Sequence, residues 1–197
     1  MIYELRRYTL RPGTRDTLIE LFEREFLDTQ EATGMRVVAQ FRDPGAPDTF
    51  TWIRAFPDME SRERSLTEFY TGPAWKAHRE AARATMVDTD DVLLLRAVLV
   101  PPFAQADGEA SPYRMTVFPV ADGFAARLAE LAPGGAACFV TEHAVNTYPQ
   151  LPVREGENVF VWFTRGEEER ALPGLDGFLT GPAQHFLLHP TERSRVR

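Results

Sequence analysis

The chain has 197 residues, of which 44% are hydrophobic and 26% are charged, and its formal net charge is −7. This composition is typical of a globular protein of one or two domains. The acidic balance and the lack of a basic cluster argue against nucleic acid as a partner. No apolar run reaches the roughly 20 residues that would span a bilayer, so we expect no membrane span.

Two features indicate a cytoplasmic protein. Residues 1–7 lead directly into a strand pattern and contain no apolar signal core. The single cysteine, Cys138, cannot form an intrachain disulfide, which fits a reducing compartment. Cys138 also lies in an apolar run, Ala136 to Val140, where a small thiol is usually part of the core.

The first hundred residues contain four predicted strands and the helices between them. Apolar residues alternate in the strands and recur at helical spacing in the helices. The predicted strands are Ile2–Leu10, Met35–Arg42, Phe50–Phe56 and Val92–Val100. Helices are predicted after Gly13, from Asp58 as N-cap, and from Ala74 to about Met86, with a polar turn at Asp88–Asp91. The order β-α-β-β-α-β is that of a ferredoxin-like unit.

A second segment repeats this order, which predicts an internal duplication. Phe50-Thr-Trp-Ile-Arg-Ala-Phe56 recurs as Phe160-Val-Trp-Phe-Thr-Arg165, and each copy leads to a Thr-Gly-Pro-Ala break. Residues 101–112 are rich in Pro, Gly and Ala and are predicted to be a linker. The predicted units are therefore residues 1–100 and 113–197. The second has a longer hairpin loop, Ala144 to Asn158, and lacks most of its second crossover helix.

Both faces of the third strand carry apolar side chains. Ile53 and Ala55 point one way, whereas Phe50, Trp52, Arg54 and Phe56 point the other. Burying one large ring contributes roughly 1.5–3 kcal/mol, so the aromatic set should not face water. Because the helices cover only one face of such a sheet, we expect the two sheets to pack face to face with the aromatic sets between them.

Three stretches resemble the NIPSNAP family. Tyr3-Glu-Leu-Arg-Arg-Tyr-Thr-Leu-Arg-Pro-Gly13 is similar to the start of a NIPSNAP domain, and Leu188-His-Pro-Thr-Glu-Arg-Ser194 to its end. Gly72-Pro-Ala-Trp-Lys-Ala-His78 resembles the family's Asp-Pro-Ala-Trp motif, with Gly72 in place of Asp. The resemblance implies an α+β fold in which two tandem ferredoxin-like units pack sheet to sheet as an intrachain dimeric α+β barrel. It brings no established catalytic set.

A polar set on the strands forms the candidate ligand site. If Glu4 and Trp52 point to the same face of the sheet, the polar and aromatic side chains on that face line a cavity between the two sheets. Arginines and a glutamate among aromatic rings suit a small hydrophobic or aromatic ligand with an anionic or polar group. The alternative is that they form ion pairs that close the barrel or lie at its rim. The set comprises Glu4, Arg6, Tyr8, Gln40, Trp52, Arg54, Thr116, Trp162 and Thr164.

Three functions are compatible with these patterns. The first is a NIPSNAP-like role in small-molecule binding or protein interaction. The alternative is a cofactor-independent monooxygenase- or isomerase-like enzyme acting on a small aromatic or lactone-type substrate, for which Glu4, Glu142 and His143 are the candidate bases. The third is assembly into a homo-oligomer over surface left open by the missing helix. No metal and no cofactor are predicted, since His78, His143, His185 and His189 form no ligand pair on a helix.

Overall fold

The computed structural model describes residues 1–98, 102–103, 110–131 and 133–196. Its strands are β1 (Ile2–Leu10), β2 (Arg36–Arg42), β3 (Thr49–Phe56), β4 (Met86–Ala97), β5 (Tyr113–Pro119), β6 (Ala137–Thr141), β7 (Val159–Arg165) and β8 (Gln184–Pro190). They pair antiparallel in a closed barrel of order β1-β3-β2-β8-β5-β7-β6-β4. The α+β barrel prediction is therefore confirmed.

Helices lie on the outside of this barrel. A helical stretch between β1 and β2 consists of α1 (Arg15–Leu21), a π-helical turn (Phe22–Phe26) and α2 (Leu27–Glu31). Between β3 and β4 lie α3 (Met59–Thr71) and α4 (Pro73–Arg83), and the second half has α5 (Phe124–Leu131) and a 3₁₀ turn (Asp176–Phe178). Asp58 caps α3 as predicted, because its Oδ1 accepts a 2.7 Å hydrogen bond from the Ser61 amide.

One chain supplies both halves of the barrel wall. The first four strands lie in the order β4-β1-β3-β2 and the last four in the order β8-β5-β7-β6. Two short seams join them: Phe41 and Arg42 of β2 pair with β8, and residues 95–97 of β4 pair with β6. Neither half has an unpaired edge strand, so the sheet is continuous around the barrel.

The barrel interior is a packed core. Ile53 and Ala55 point into it, together with Leu5, Phe41 and Phe163, all buried. The interior of an eight-stranded barrel is just wide enough for packed side chains or for one small ligand. The predicted division of β3 into two faces is thus confirmed.

The prediction of which face meets the other sheet was wrong. Phe50, Trp52 and Phe56 pack instead with α1, α3 and the π-helical turn on the outer side of the sheet. Phe160 and Trp162 likewise pack outward, against α5 and the segment that follows β7. Large rings are buried on both sides of the sheet, since the interior also holds Phe41, Phe139 and Phe163.

Two further expectations are corrected. Asp88 to Asp91 do not form a turn but belong to β4, where Asp88 pairs with Thr9 and Asp91 with Arg7. The second half does lack a crossover helix, yet Leu172, Leu175 and Phe178 cover the sheet in its place. Among the described residues the exposed large hydrophobics are Met1, Val87 and Val145, which are scattered over the chain. The open surface expected to support assembly is therefore not observed in the described part.

Part of the prediction lies outside the described residues. This applies to 99–100, at the end of the predicted fourth strand, and to most of the predicted linker 101–112. No helix in the described part of the chain is both long and apolar enough to cross a membrane.

A fragment of residues 1–100 is expected to self-associate. Alone, it would expose the inner face of its sheet and the edges of β2 and β4, which the second half covers in the full chain. Sedimentation equilibrium of the fragment should therefore show dimers or larger species, whereas a well-folded monomer at micromolar concentration would contradict the requirement for a paired sheet.

Candidate binding site

A buried cluster of charges lies between the first sheet and α3. The Glu4 carboxylate of β1 accepts three guanidinium groups: Arg6 at 2.7 Å, Arg54 at 2.7 Å and Arg62 at 2.6 Å. All four side chains are at most 1% exposed. No other carboxylate in the described part of the chain lies within ion-pair distance of these arginines. Three positive groups share one negative group, so two positive charges are in excess.

The cluster keeps Glu4 ionised. Burial alone would raise the pKa of the Glu4 carboxyl, but Arg54, Arg6 and Arg62 outweigh burial and hold it well below its usual range. Burial lowers the pKa of Arg62, and Glu4 only partly offsets this. Burial alone would lower the pKa of Arg6, but the Glu4 carboxylate and the hydrogen bond to Tyr8 contribute to raising it above its ordinary value. At neutral pH the excess positive charge therefore remains.

Beside this cluster is a cavity of about 220 Å³, bounded by the outer face of the first sheet and by the helices. Seven of its fifteen lining residues are aromatic, and Phe22 and Phe26 reach it from the two ends of the π-helical turn. Such turns often occur at functional sites. The lining residues are Arg6, Tyr8, Leu18, Phe22, Phe26, Gln30, Trp52, Phe69, Tyr70, Trp75, Arg83, Met86, Thr89, Gln150 and Leu151.

One wall of the cavity presents hydrogen-bond donors. Arg6 donates from Nε to the Tyr8 hydroxyl at 3.1 Å, while its Nη2 is 3.5 Å from the Thr89 carbonyl, at the limit of a hydrogen bond. Burial raises the pKa of Tyr8, so its hydroxyl keeps its proton. Trp52 is 2% exposed, and its Nε1 has no hydrogen-bond partner in the described part of the chain. Arg6 and Tyr8 line the cavity and can donate to an acceptor in it, whereas the Trp52 Nε1 atom is enclosed by protein.

The second half of the chain also reaches this cavity. The long loop between β6 and β7 crosses from the second half onto α3, and its Gln150 and Leu151 line the cavity. Leu151 and Tyr148 pack against the same apolar cluster as Trp52.

The structure separates the nine predicted site residues into three groups. Arg6, Tyr8 and Trp52 line the cavity, and Glu4 and Arg54 are in contact with them without lining it. All five lie outside the barrel interior, so their predicted position between the sheets was wrong. The helices cover their face of the sheet.

The other four predicted residues lie elsewhere. Gln40 contacts the C-terminal segment, where its Nε2 is 3.4 Å from the Arg193 carbonyl. Trp162 donates from Nε1 to the Gly134 carbonyl at 2.6 Å, and Thr116 is 3.4 Å from His185 Nδ1. Thr164 is buried on β7. None of the four lines this cavity.

Arg62 is the main residue that the sequence prediction missed. Arg62, Leu66 and Phe69 follow one another at spacings of four and three, so they share one helix face, and all three are buried. A lone arginine on the apolar stripe of α3 was the signal that could have identified it. Gln150 and Leu151 gave no comparable signal, because their approach depends on the path of a long loop.

Neither the candidate bases nor the cysteine lines the cavity. Glu142 Oε1 accepts a 3.0 Å hydrogen bond from the Ala144 amide, and His143 is exposed at the start of the long loop. Glu4 is occupied by its three arginines. Burial raises the pKa of the Cys138 thiol to about 11. No group of three or more metal-ligating side chains is assembled within the part of the chain that the structure describes.

The fold and the comparisons with known proteins define the class. The eight-stranded barrel with outer helices is that of the dimeric α+β barrel proteins, with both halves in one chain. The chain belongs to the NIPSNAP family, whose model matches residues 3–101. No curated protein matches this sequence.

The solved structures of two candidate monooxygenases show the same fold at low sequence identity. A candidate monooxygenase from Lactobacillus acidophilus has a TM-score of 0.61 at 12% identity, over 96% of this chain and 93% of that chain. A candidate monooxygenase from Fusobacterium nucleatum has a TM-score of 0.63 at 8% identity, over 96% and 91%. An uncharacterised NIPSNAP-like domain protein from Burkholderia xenovorans has a TM-score of 0.47 at 26% identity, over 51% of this chain and 89% of that chain.

Proposed function

We propose that this protein binds a small aromatic anion, such as an aromatic carboxylate, in the cavity between the first sheet and its helices. The observation that carries the proposal is the excess of positive charge in the cluster behind the cavity wall. Arg6 belongs to this cluster and also lines the cavity. A buried charge without a counter-charge is costly, so an anion beside Arg6 would be stabilised there.

The donors and rings of the cavity support the same ligand class. Arg6 and Tyr8 offer N–H and O–H groups, which suit a carboxylate or phenolate oxygen. The remaining wall is built mainly from aromatic and aliphatic side chains, which suit an apolar ring. The volume of about 220 Å³ exceeds the roughly 150 Å³ of an apolar cavity that holds benzene, so a one-ring acid fits the space.

Binding without chemistry is favoured over the enzyme alternative by the position of the candidate bases. A general base must lie within hydrogen-bond reach of the proton that it removes. Neither Glu4, Glu142 nor His143 lines the cavity. The monooxygenase-like neighbours share the fold at 8–12% identity, and this likeness concerns fold alone.

Arg6→Met should weaken the binding of benzoate by roughly 10- to 150-fold, the loss expected for a hydrogen bond between charged partners worth about 1.5–3 kcal/mol. Methionine keeps most of the length of the side chain but has neither charge nor donor. Isothermal titration with benzoate, benzamide and benzylamine measures this directly. We expect the wild type to prefer benzoate to both of the others.

Arg7→Met is the matched control. Arg7 is the next residue of β1, is partly exposed, and pairs with Asp91 at 3.2 Å outside the cavity. Its loss should leave benzoate affinity within about twofold of the wild type. Equal affinity for benzoate and benzamide, or unchanged benzoate binding by Arg6→Met, would refute the proposed ligand class.

The organisation and location of the chain are also proposals. The matching strand orders of the two halves support an origin by internal duplication, with units at residues 1–100 and 113–197 joined by a linker at 101–112. The buried thiol of Cys138 is compatible with the cytoplasm. A homo-oligomer remains a prediction from the sequence.

A further inference from the structure

We infer that residues 144–153 of the second half, here called the cap, control the entry and release of the ligand proposed above. This inference rests on the proposed function for its ligand, although the movement of the cap can be measured without one. The cap lies over α3 and contributes Gln150 and Leu151 to the cavity of the first half.

The chain is tied to β4 by backbone hydrogen bonds just outside the two ends of the cap, and the cap itself is held on the helices by side chains in its middle. At the ends, the Glu142 amide donates to the Leu94 carbonyl and the Arg154 amide to the Val92 carbonyl, both at 2.8 Å, so the flanks are tied to β4. Between these ties the chain has no helix or strand. A segment with fixed ends and little regular structure can lift without unfolding the barrel.

Three side-chain contacts hold the middle of the cap on the helices. Asn146 Oδ1 accepts from Arg62 Nη1 at 3.0 Å, and Thr147 Oγ1 donates to the Met59 carbonyl at 3.1 Å. The ring of Tyr148 stacks on that of Tyr70, with centroids 6.1 Å apart and an interplanar angle of 24°. The structure shows no backbone–backbone hydrogen bond between the cap and the rest of the described chain, so the cap is the wall of the cavity that opens at least cost.

Asn146 connects the cap to the charge cluster. Its partner Arg62 donates to Glu4, and Glu4 in turn accepts from Arg6 at the cavity wall. Asn146 also accepts from the Tyr148 amide and donates from Nδ2 to the Leu151 carbonyl, both at 3.0 Å. One side chain therefore fixes the shape of the cap and attaches it to Arg62. We assign Asn146 as the residue that latches the cap, a positioning role rather than contact with the ligand.

The test compares Asn146→Ala and Tyr148→Ala, which remove different contacts of the cap, with Val145→Ala. Val145 is in the same loop and is 83% exposed, so its truncation should change nothing. In a Trp162→Phe background, acrylamide quenching without ligand reports on Trp52 and Trp75, which line the cavity. We expect the quenching constant to rise at least about twofold in both cap variants and to stay at the background value in Val145→Ala.

Stopped-flow dissociation of benzoate is the second readout. The dissociation rate should rise about tenfold in Asn146→Ala, as expected for loss of a hydrogen bond to a charged group, and should not change in Val145→Ala. Unchanged quenching and unchanged dissociation in both cap variants would overturn the inference while leaving the binding proposal intact. If the wild type does not bind benzoate, the proposed ligand fails, and quenching alone then decides whether the cap opens.

Discussion

Replacing Glu4 with Gln should lower the free energy of unfolding by about 3–5 kcal/mol, the loss typical when one partner of a buried ion pair is removed. Glutamine has the size of glutamate but no charge. Arg6, Arg54 and Arg62 would then lie together in the protein interior with no counter-charge, since Glu4 is the carboxylate that all three contact. Urea denaturation followed by circular dichroism measures the loss.

Glu130→Gln provides the control for charge removal. Glu130 pairs with Arg127 at 2.7 Å on α5, and both side chains are more than half exposed. Exposed ion pairs of this kind contribute little to the free energy of unfolding. The value for Glu130→Gln should therefore stay within about 0.5 kcal/mol of that of the wild type. If Glu4→Gln lowered the free energy of unfolding by less than about 1 kcal/mol, groups other than Glu4 would have to compensate the charges of the three arginines.

The effect of Glu4 also has a defined pH dependence. The pKa of Glu4 is lower in the folded protein than the value of about 4.3 expected in the unfolded chain. Its contribution to stability is therefore complete above that value and is lost as the pH falls below it. The difference between the wild type and Glu4→Gln should be constant near neutral pH and should shrink on acidification.

Trp52→Ala should destabilise the protein by about 3–5 kcal/mol, the range for removing a large buried ring. Trp52 is 2% exposed, and its ring lies 4.8 Å from Phe22, 5.9 Å from Tyr8 and 6.5 Å from Phe50 by centroid distance. The truncation removes contacts to the π-helical turn and to the strands at once.

Trp75→Ala is the comparison for Trp52→Ala in thermal and urea unfolding. Trp75 lines the same cavity from α4 but is only partly buried. Trp75→Ala should therefore lower the free energy of unfolding by clearly less than Trp52→Ala does. If Trp52→Ala cost under about 1 kcal/mol, Trp52 would not be part of the packed layer between helices and sheet.

The sequence predicts the strands well. It does not predict which face of a strand points into the barrel and which meets the helices. Alternation assigns Ile53 and Trp52 to opposite faces, and this is correct because a strand has a period of two. Both faces are apolar, however, so the pattern is equally consistent with either face pointing into the barrel. The choice depends on how much space the barrel and the helices leave, which is a property of the assembled fold.

The candidate site shows the same limit. Arg6, Tyr8 and Trp52 could be grouped from their alternation, and all three line the cavity. Arg62 joins them from a helix 58 residues further along the chain than Glu4, and Leu151 arrives from the other half. Local patterns carry no information on such distant pairings. The length of the loop from Ala144 to Asn158 was visible in the sequence, but its docking on α3 was not.

Closure of the barrel within a single chain changes how its stability responds to dilution. Where two separate copies form a barrel, the partners dissociate as the protein becomes dilute, because folding and association are linked by mass action. Here the seams β2–β8 and β4–β6 join parts of one polypeptide. The effective concentration of one half around the other is set by the connecting chain and not by the amount of protein present. Dilution therefore does not separate the two halves of the barrel from each other.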